Sequence, residues 1–244
     1  MIKFENVSKI YTDKLALDNL NLEIEDGKIF GLIGHNGAGK STTIKSLVGI
    51  IDYEKGDIYL DGINIKDDPI SAKKKIGYVA DSPDMFLKMT PYELWRFIKT
   101  IYEVSDEDFK QRVEKLTEVF DLKDVNQTIE SFSHGMRQKI FLIATLLTDP
   151  DLWVMDEPLT GLDPQSSYNL KEMMREHADK GNTVLFSTHI LDIAEKLCDR
   201  IGILKEGKLI FLGSMEDLKK TYPDLSLEEI YLNMVKSYED LDDE

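Results

Sequence analysis

Gly34-His35-Asn36-Gly37-Ala38-Gly39-Lys40-Ser41 follows the apolar run Ile29–Ile33 and leads into Ile44, Leu47 and Val48 at helical spacing. The octapeptide matches G-x-x-x-x-G-K-[ST], and each fixed position has a physical purpose. Glycines let the chain wrap tightly enough to aim successive backbone N–H groups at phosphate oxygens. The helix beginning near Lys40 adds the positive end of its dipole. Lys40 is placed to reach β- and γ-phosphates, Ser41 to offer a hydroxyl to Mg2+, and Thr42 to meet an α-phosphate. With each required residue at roughly 5–10% usage, a chance match in a chain of this length is about one in a hundred. The strand–loop–helix context makes a nucleotide phosphate site the expected reading.

Two further strand ends converge on the same chemistry. Leu152-Trp153-Val154-Met155 is an apolar run ending in Asp156-Glu157-Pro158. Adjacent acids after a buried strand can divide their labour, Asp156 holding Mg2+ and Glu157 polarising a water beside the γ-phosphate. His189 ends a third run, Phe186-Ser187-Thr188-His189. A lone strand-end histidine is usually structural. Open parallel sheets, however, bind ligands along their carboxyl edge, where all three runs end, so His189 is expected to sense the γ-phosphate.

Around these motifs, short apolar runs alternate with helical stretches, which predicts an α/β fold with a mostly parallel sheet. Ile29–Ile33, Leu152–Met155 and Thr183–Phe186 read as strands buried on both faces. The first 27 residues and Asp57–Leu60 instead alternate apolar and polar, predicting an N-terminal antiparallel β-layer. Residues 85–149 read as an inserted helical subdomain: Thr90-Pro91-Tyr92-Glu93 is a capped helix start, and Ser105 caps a stripe of Phe109, Val113, Leu116 and Phe120. The expected division is one domain over 1–222, with its core in 1–84 and 150–222. A C-terminal helix and acidic tail follow over 223–244. Leu227, Ile230, Tyr231 and Met234 form an apolar stripe that either packs on its own domain or meets a partner. Glu239–Glu244 reads as a solvated end.

Composition narrows the setting. The 244 residues carry 30 Lys+Arg against 46 Asp+Glu, a formal charge of −16, which disfavours non-specific nucleic-acid binding and direct adhesion to anionic lipid. The run Lys73-Lys74-Lys75 is too small a basic patch to change that. Cys198 is the single cysteine, so no internal disulfide forms, and it reads as a small buried filler. MIKFENVSKIY lacks a long apolar stretch, so no secretory signal is expected. The longest mostly apolar run, Ile140–Leu147, falls far short of the roughly 20 residues of a spanning helix.

These residues resemble the ATP-binding subunit of ABC transporters over nearly the whole chain. Phe132-Ser133-His134-Gly135-Met136 stands where that family carries its L-S-G-G-Q signature, and Leu162-Asp163 stand where its D-loop belongs. Tyr11 stands at the position of the adenine-stacking aromatic, and Gly77-Tyr78-Val79-Ala80-Asp81 at the glutamine loop. The resemblance implies a P-loop NTPase with a RecA-like core, hydrolysing ATP with Mg2+. It also implies two copies, or this chain and a second ABC subunit, closing head-to-tail so that Ser133 and Gly135 of one cap the γ-phosphate at the other's Lys40. An integral membrane transporter subunit would hold the chain peripherally on the cytoplasmic face of the cell membrane. On the residues alone, Ser133 is a good N-cap, so the helix it opens suits an anion. Three positions depart from the pattern. Asp81 replaces the glutamine and is assigned an approach to Mg2+. His134 replaces the signature's first glycine. Met136 replaces its glutamine, as it does in exporter-type members.

The stretch Met155-Asp156-Glu157-Pro158-Leu159-Thr160-Gly161-Leu162-Asp163-Pro164 resembles bacterial exporter-type (ABC-2) subunits. The competing expectation is a cassette ATPase acting on a soluble assembly, ribosome or DNA. Translation-type members carry two cassettes per chain, and DNA-repair types insert a long coiled coil before the signature. Here there is one phosphate loop, and only 93 positions separate Lys40 from Ser133. A GTPase or small-molecule kinase would leave the signature unexplained, and no N-K-x-D guanine motif is present.

Overall fold

The computed structural model describes residues 1–123 and 125–242, the last four of these by backbone alone; the solvated end expected at 239–244 therefore lies outside the described side chains. Strands β1 (Ile2–Tyr11), β2 (Lys14–Ile24), β4 (Lys55–Leu60) and β5 (Ile63–Asn64) form an antiparallel sheet in the order β2-β1-β4-β5. A six-stranded sheet carries β3 (Ile29–Ile33), β6 (Ile76–Val79), β7 (Leu152–Met155), β8 (Thr183–Thr188), β9 (Arg200–Lys205) and β10 (Lys208–Ser214). Its order is β10-β9-β3-β8-β7-β6, parallel throughout except for β10 against β9.

Burial on both faces explains the uninterrupted apolar runs. Phe30, Leu32, Val154, Leu185 and Leu204 face the antiparallel layer, meeting Phe4, Leu20, Leu22 and Ile58 there. Their strand neighbours Ile29, Ile33, Trp153, Met155, Val184 and Phe186 face the helices. The alternation has period two, as a strand requires. The expected strands Ile29–Ile33 and Leu152–Met155 are observed as such, while β8 runs two residues past Phe186 to Thr188.

Between β6 and β7 stand α3 (Pro91–Ile101), α4 (Asp106–Val119) and α5 (His134–Leu146), with a 3-10 turn at Ile129–Ser131. The capping box predicted at Thr90 is present: Glu93 N donates to Thr90 Oγ1 and Thr90 N donates to Glu93 Oε2. Trp95 is fully buried at the centre of this group, and its Nε1 donates to Ile140 O at 3.0 Å, binding α3 to α5. The remaining helices are α1 (Lys40–Leu47), α2 (Pro69–Lys75), α6 (Pro164–Asp179), α7 (Leu191–Leu197), α8 (Met215–Thr221) and α9 (Leu227–Asp242). The stripe on α9 is intramolecular, because Leu227 and Ile230 are buried in the main core and Tyr231 and Met234 pack against it. Among the described residues, no helix is long and apolar enough to cross a membrane.

Candidate functional site

Strand β3 delivers the phosphate loop to the carboxyl edge of the sheet, and α1 leaves from it. Gly39 is the hinge, with φ +111°, and a Cβ there would stand 2.8 Å from Ala16 O. No L side chain suits that backbone. The loop is braced from outside by the Glu206-Gly207 turn of the β9–β10 hairpin: Gly207 N donates to Ala38 O at 2.9 Å, and Asp18 N donates to Gly207 O at 3.0 Å. Within it, Ala38 N donates to His35 O at 3.1 Å, and Thr43 Oγ1 donates to Gly39 O at 3.0 Å. No side chain caps α1, so its first-turn N–H groups remain available to an anion.

Lys40 lies 5% exposed under the loop. Its Nζ donates to Gly34 O at 2.7 Å and His35 O at 3.3 Å, and lies 3.6 Å from Glu157 Oε1. The other Glu157 oxygen accepts from His189 Nδ1 at 3.0 Å. Lys40, Glu157 and His189 thus form a continuous chain of charge and hydrogen bonds across the ends of three strands. Glu157 is held in the left-handed region at φ 48°, uncommon for a non-glycine residue, and this turns its side chain out of the strand path.

Asp156 sits behind Glu157 and is completely buried. Its Oδ1 accepts from Ser187 Oγ at 2.6 Å, whereas its Oδ2 is buried with no hydrogen-bond partner among the described residues. An unmatched buried carboxylate oxygen is expensive unless a cation takes it up. Ser41 supplies a hydroxyl on the wall of the cleft that Glu157, the neighbour of Asp156, also lines. That pairing fits Mg2+, which is satisfied by one or two protein oxygens and completes its octahedron with water and phosphate. No cluster of three His, Cys, Asp or Glu side chains able to cage a metal occurs among the described residues. Desolvation and the carboxylates of Asp156 and Glu157 raise the Asp81 carboxyl above its ordinary value. The shift records negative charge gathered at this side of the cleft.

The open cleft has a volume of about 400 Å³. Its walls include Tyr11, Asn36, Gly37, Gly39, Lys40, Ser41, Thr42, Asp81, Glu157 and His189, so most of the expected residues meet in one place. Gly34 and Ala38 shape the loop from behind instead. Lys14, Ala16 and Thr160 also line the cleft, and nothing in their spacing had singled them out. Ser133 and Gly135 do not line it. Ser133 caps α5, accepting from Met136 N, and Gly135 is packed against Gly161, where a Cβ would lie 2.2 Å from the carbonyl oxygen. This chain therefore places the signature against its own D-loop and away from its own Lys40.

Comparison with known proteins agrees with this geometry. A profile described as ABC transporter matches residues 17–160. The chain belongs to the ABC transporter family. The linearmycin resistance ATP-binding protein LnrL of Bacillus subtilis (strain 168) is 35% identical over 219 residues, covering 89% of this chain and 70% of the relative. A solved ATP-binding subunit of an ABC transporter superposes with a TM-score of 0.90 at 32% identity, covering 96% of this chain and 99% of the other. The dimeric post-hydrolysis state of the cassette MJ0796, bound to ADP and Pi, gives a TM-score of 0.79 at 25% identity over 88% of this chain and 99% of that one. The fold is that of the P-loop ABC ATPases, and the chain is an ATP-binding, ATP-hydrolysing subunit of an ABC transporter. Such subunits dimerise and work with membrane partners.

Proposed function

We propose that this chain powers export by a separate membrane-spanning partner, using Mg2+ with ATP and paired with a second copy or a second ABC subunit. The observation that carries the reading is the Lys40–Glu157–His189 chain closing one side of the cleft. In it, Glu157 accepts the proton of the attacking water, His189 orients the carboxylate and faces the γ-phosphate, and Lys40 neutralises β- and γ-phosphate charge. The N–H groups of Asn36, Gly37, Gly39, Lys40, Ser41 and Thr42 cradle the phosphates, with Gly34 and Ala38 shaping the loop behind them, and Tyr11 stacks on the adenine. Ser41, Asp156 and Asp81 hold Mg2+, which supplies further neutralisation of the phosphates when bound. Ser133 and Gly135 of the partnered copy complete the site from across the interface. Their seclusion from the cleft of their own chain supports that assignment.

We infer the same division of the chain as its sequence suggests: a nucleotide-binding core over 1–84 and 150–222, a helical subdomain over 85–149, and the C-terminal segment 223–244. An apolar groove of about 330 Å³ lies between them, lined by Ile50, Met85, Phe86, Ile98, Tyr102 and Phe141. Ile50 and Met85 are 56% and 58% exposed there. Its floor includes Tyr78, three residues before Asp81, so a segment of the membrane partner seated in it would touch the strand that leads to the cleft. Held in this way, the chain works on the cytoplasmic face of the cell membrane. The resistance named in LnrL and the exporter-like Met155–Pro164 stretch both support export.

Glu157→Gln tests the mechanism. It keeps the shape and removes the base, so ATP binding stays within a few-fold and single-turnover hydrolysis slows by roughly 10²–10⁴-fold. Undiminished turnover would overturn the role of Glu157. Mild-detergent co-purification tests the partner, which is expected to be a polytopic membrane protein; a purely soluble partner would refute transport.

A further inference from the structure

Ser187 stands on β8, fully buried, one residue past the Phe186–Met155 pair and beside Leu32 of β3. Register therefore lodges its hydroxyl between the phosphate-loop strand and the strand that ends in Asp156-Glu157. A serine hydroxyl has one proton to give. Ser187 gives it to Asp156 Oδ1 at 2.6 Å, and Ser187 Oγ in turn accepts from Glu157 N at 2.9 Å.

Both contacts have consequences in the cleft. With Oδ1 engaged, the carboxylate plane of Asp156 is fixed and its buried, unmatched Oδ2 is the oxygen left to a cation. The second contact secures the one N–H of a residue whose backbone sits at φ 48°. Such a conformation persists only where its surroundings over-determine it.

We propose that Ser187 is a positioning residue for hydrolysis: one hydroxyl sets the metal-facing oxygen of Asp156 and the backbone of Glu157 together. The inference rests on the roles given above to Asp156 and Glu157. A purely structural serine would cost stability when removed and leave metal dependence alone. A positioning serine shifts the gain in nucleotide affinity that Mg2+ provides, and shifts kcat more than KM.

The test uses the full chain with Ser187→Ala, Ser187→Cys and Ser187→Thr. Alanine and cysteine delete the strong donor, and whichever melts close to wild type carries the measurement. Threonine restores the donor. Binding of a fluorescent non-hydrolysable ATP analogue is titrated in EDTA and in Mg2+, and single-turnover hydrolysis is followed separately. Loss of a hydrogen bond to a charged group corresponds to roughly 10–100-fold. The expected result is EDTA affinity within about twofold of wild type, an Mg2+ gain reduced by roughly tenfold, and kcat reduced by roughly 10–100-fold with KM nearly kept. Threonine recovers both. Full Mg2+ gain and full kcat in the folded alanine or cysteine variant would overturn the inference, as would an equal loss of affinity in EDTA. Asp156→Asn separates the two layers: if it loses the Mg2+ gain while the Ser187 variants keep it, only this inference falls. If it keeps the gain as well, the metal role of Asp156 falls with it.

Discussion

Gly135→Ala places a methyl group where the structure has least room. A Cβ at 135 would lie 2.2 Å from Gly161 O, and ordinary contact begins near 3.4 Å, so the carbonyl has to retreat by about 1.2 Å. The obstacle is backbone, which cannot rotate away as a flexible side chain would. Two effects compete. Alanine is the better helix former near the start of α5, a gain of at most about 1 kcal/mol. Overpacking a tight contact costs about 1–3 kcal/mol. A backbone obstacle puts the cost in the upper part of that range, so the strain wins, with a net loss of about 1–2 kcal/mol. At about 2–4 °C per kcal/mol for a chain of this size, the melting temperature falls by roughly 2–8 °C. The functional loss is larger on two counts: Gly135 is assigned to the γ-phosphate of the partnered copy, and the displaced carbonyl belongs to the segment that begins at Glu157, where a misplacement of about 1 Å can slow catalysis by about 10²-fold. Differential scanning calorimetry and ATPase turnover at 25 °C measure the two effects separately. A variant melting within 1 °C of wild type and turning over within about twofold of it would refute the close approach of signature and D-loop.

Two further outcomes follow from titrating groups. The hydrogen-bonded Lys139 ammonium, 2.6 Å away, and the Ser166 N–H hold the Asp163 carboxyl far below its ordinary value. A lowered carboxyl pKa contributes stability that is complete above the unfolded value and is lost as pH falls through the folded one. Melting temperature is therefore expected to drop as pH goes below about 4, and Asp163→Asn, which keeps the cap and loses the charge, shows a shallower drop; parallel curves over pH 2.5–7 would contradict this. His177 is 5% exposed and stacked on Trp153 at 4.0 Å, and burial lowers its pKa. Here too stability is present above the unfolded value and is lost as pH falls below about 6.5. His177→Phe keeps the stack and is expected to abolish the loss in urea midpoint between pH 7.5 and 5.5, and an unchanged midpoint shift would count against the assignment.

The phosphate loop, the Asp156-Glu157 pair and His189 were legible because each is a short motif at the end of an apolar run, where chain order alone sets the geometry. The central strands were legible for the same reason: burial on both faces leaves an unbroken apolar signature. That same burial hid Ser187. Inside Phe186-Ser187-Thr188-His189 no alternation separates a serine facing Asp156 from one filling a core. The Glu206-Gly207 turn carries a recognisable hairpin signal, with φ 50° and 80°. Its bonds to Ala38 and Asp18 depend on the placement of a sheet edge against a loop some 170 positions earlier, and no local pattern encodes that. The stripe on α9 was ambiguous for a related reason. An apolar face shows that something covers it, and only the fold shows that α7 and the main core do.

The short segment from Glu157 to Asp163 ties the cleft to the helices. Its first residue is fixed by Ser187 at the backbone and by Lys40 and His189 at the carboxylate. Thr160 lines the cleft, and its N–H donates to Glu157 O at 3.1 Å. Gly161 O presses on Gly135 of α5, and Asp163 pairs with Lys139 of the same helix. Nearly every residue that could absorb a displacement is bonded or in contact, and the one non-glycine residue there with a left-handed backbone, Glu157, is pinned on both sides. A movement of α5 relative to the sheet therefore has two ways out: break the Lys139 and Gly135 contacts, or carry the segment along and move the Glu157 carboxylate against Lys40. Packed interfaces tend to switch between discrete arrangements rather than stretch, which favours the second. A contact chain of this kind becomes a coupling once both ends are seen to bias one equilibrium. Gly135→Ala alone does not supply that observation, because Gly135 is also assigned to the γ-phosphate of the partnered copy; Lys139→Gln, which loosens the same helix from Asp163 without altering the signature, supplies it when turnover falls well beyond the loss of stability.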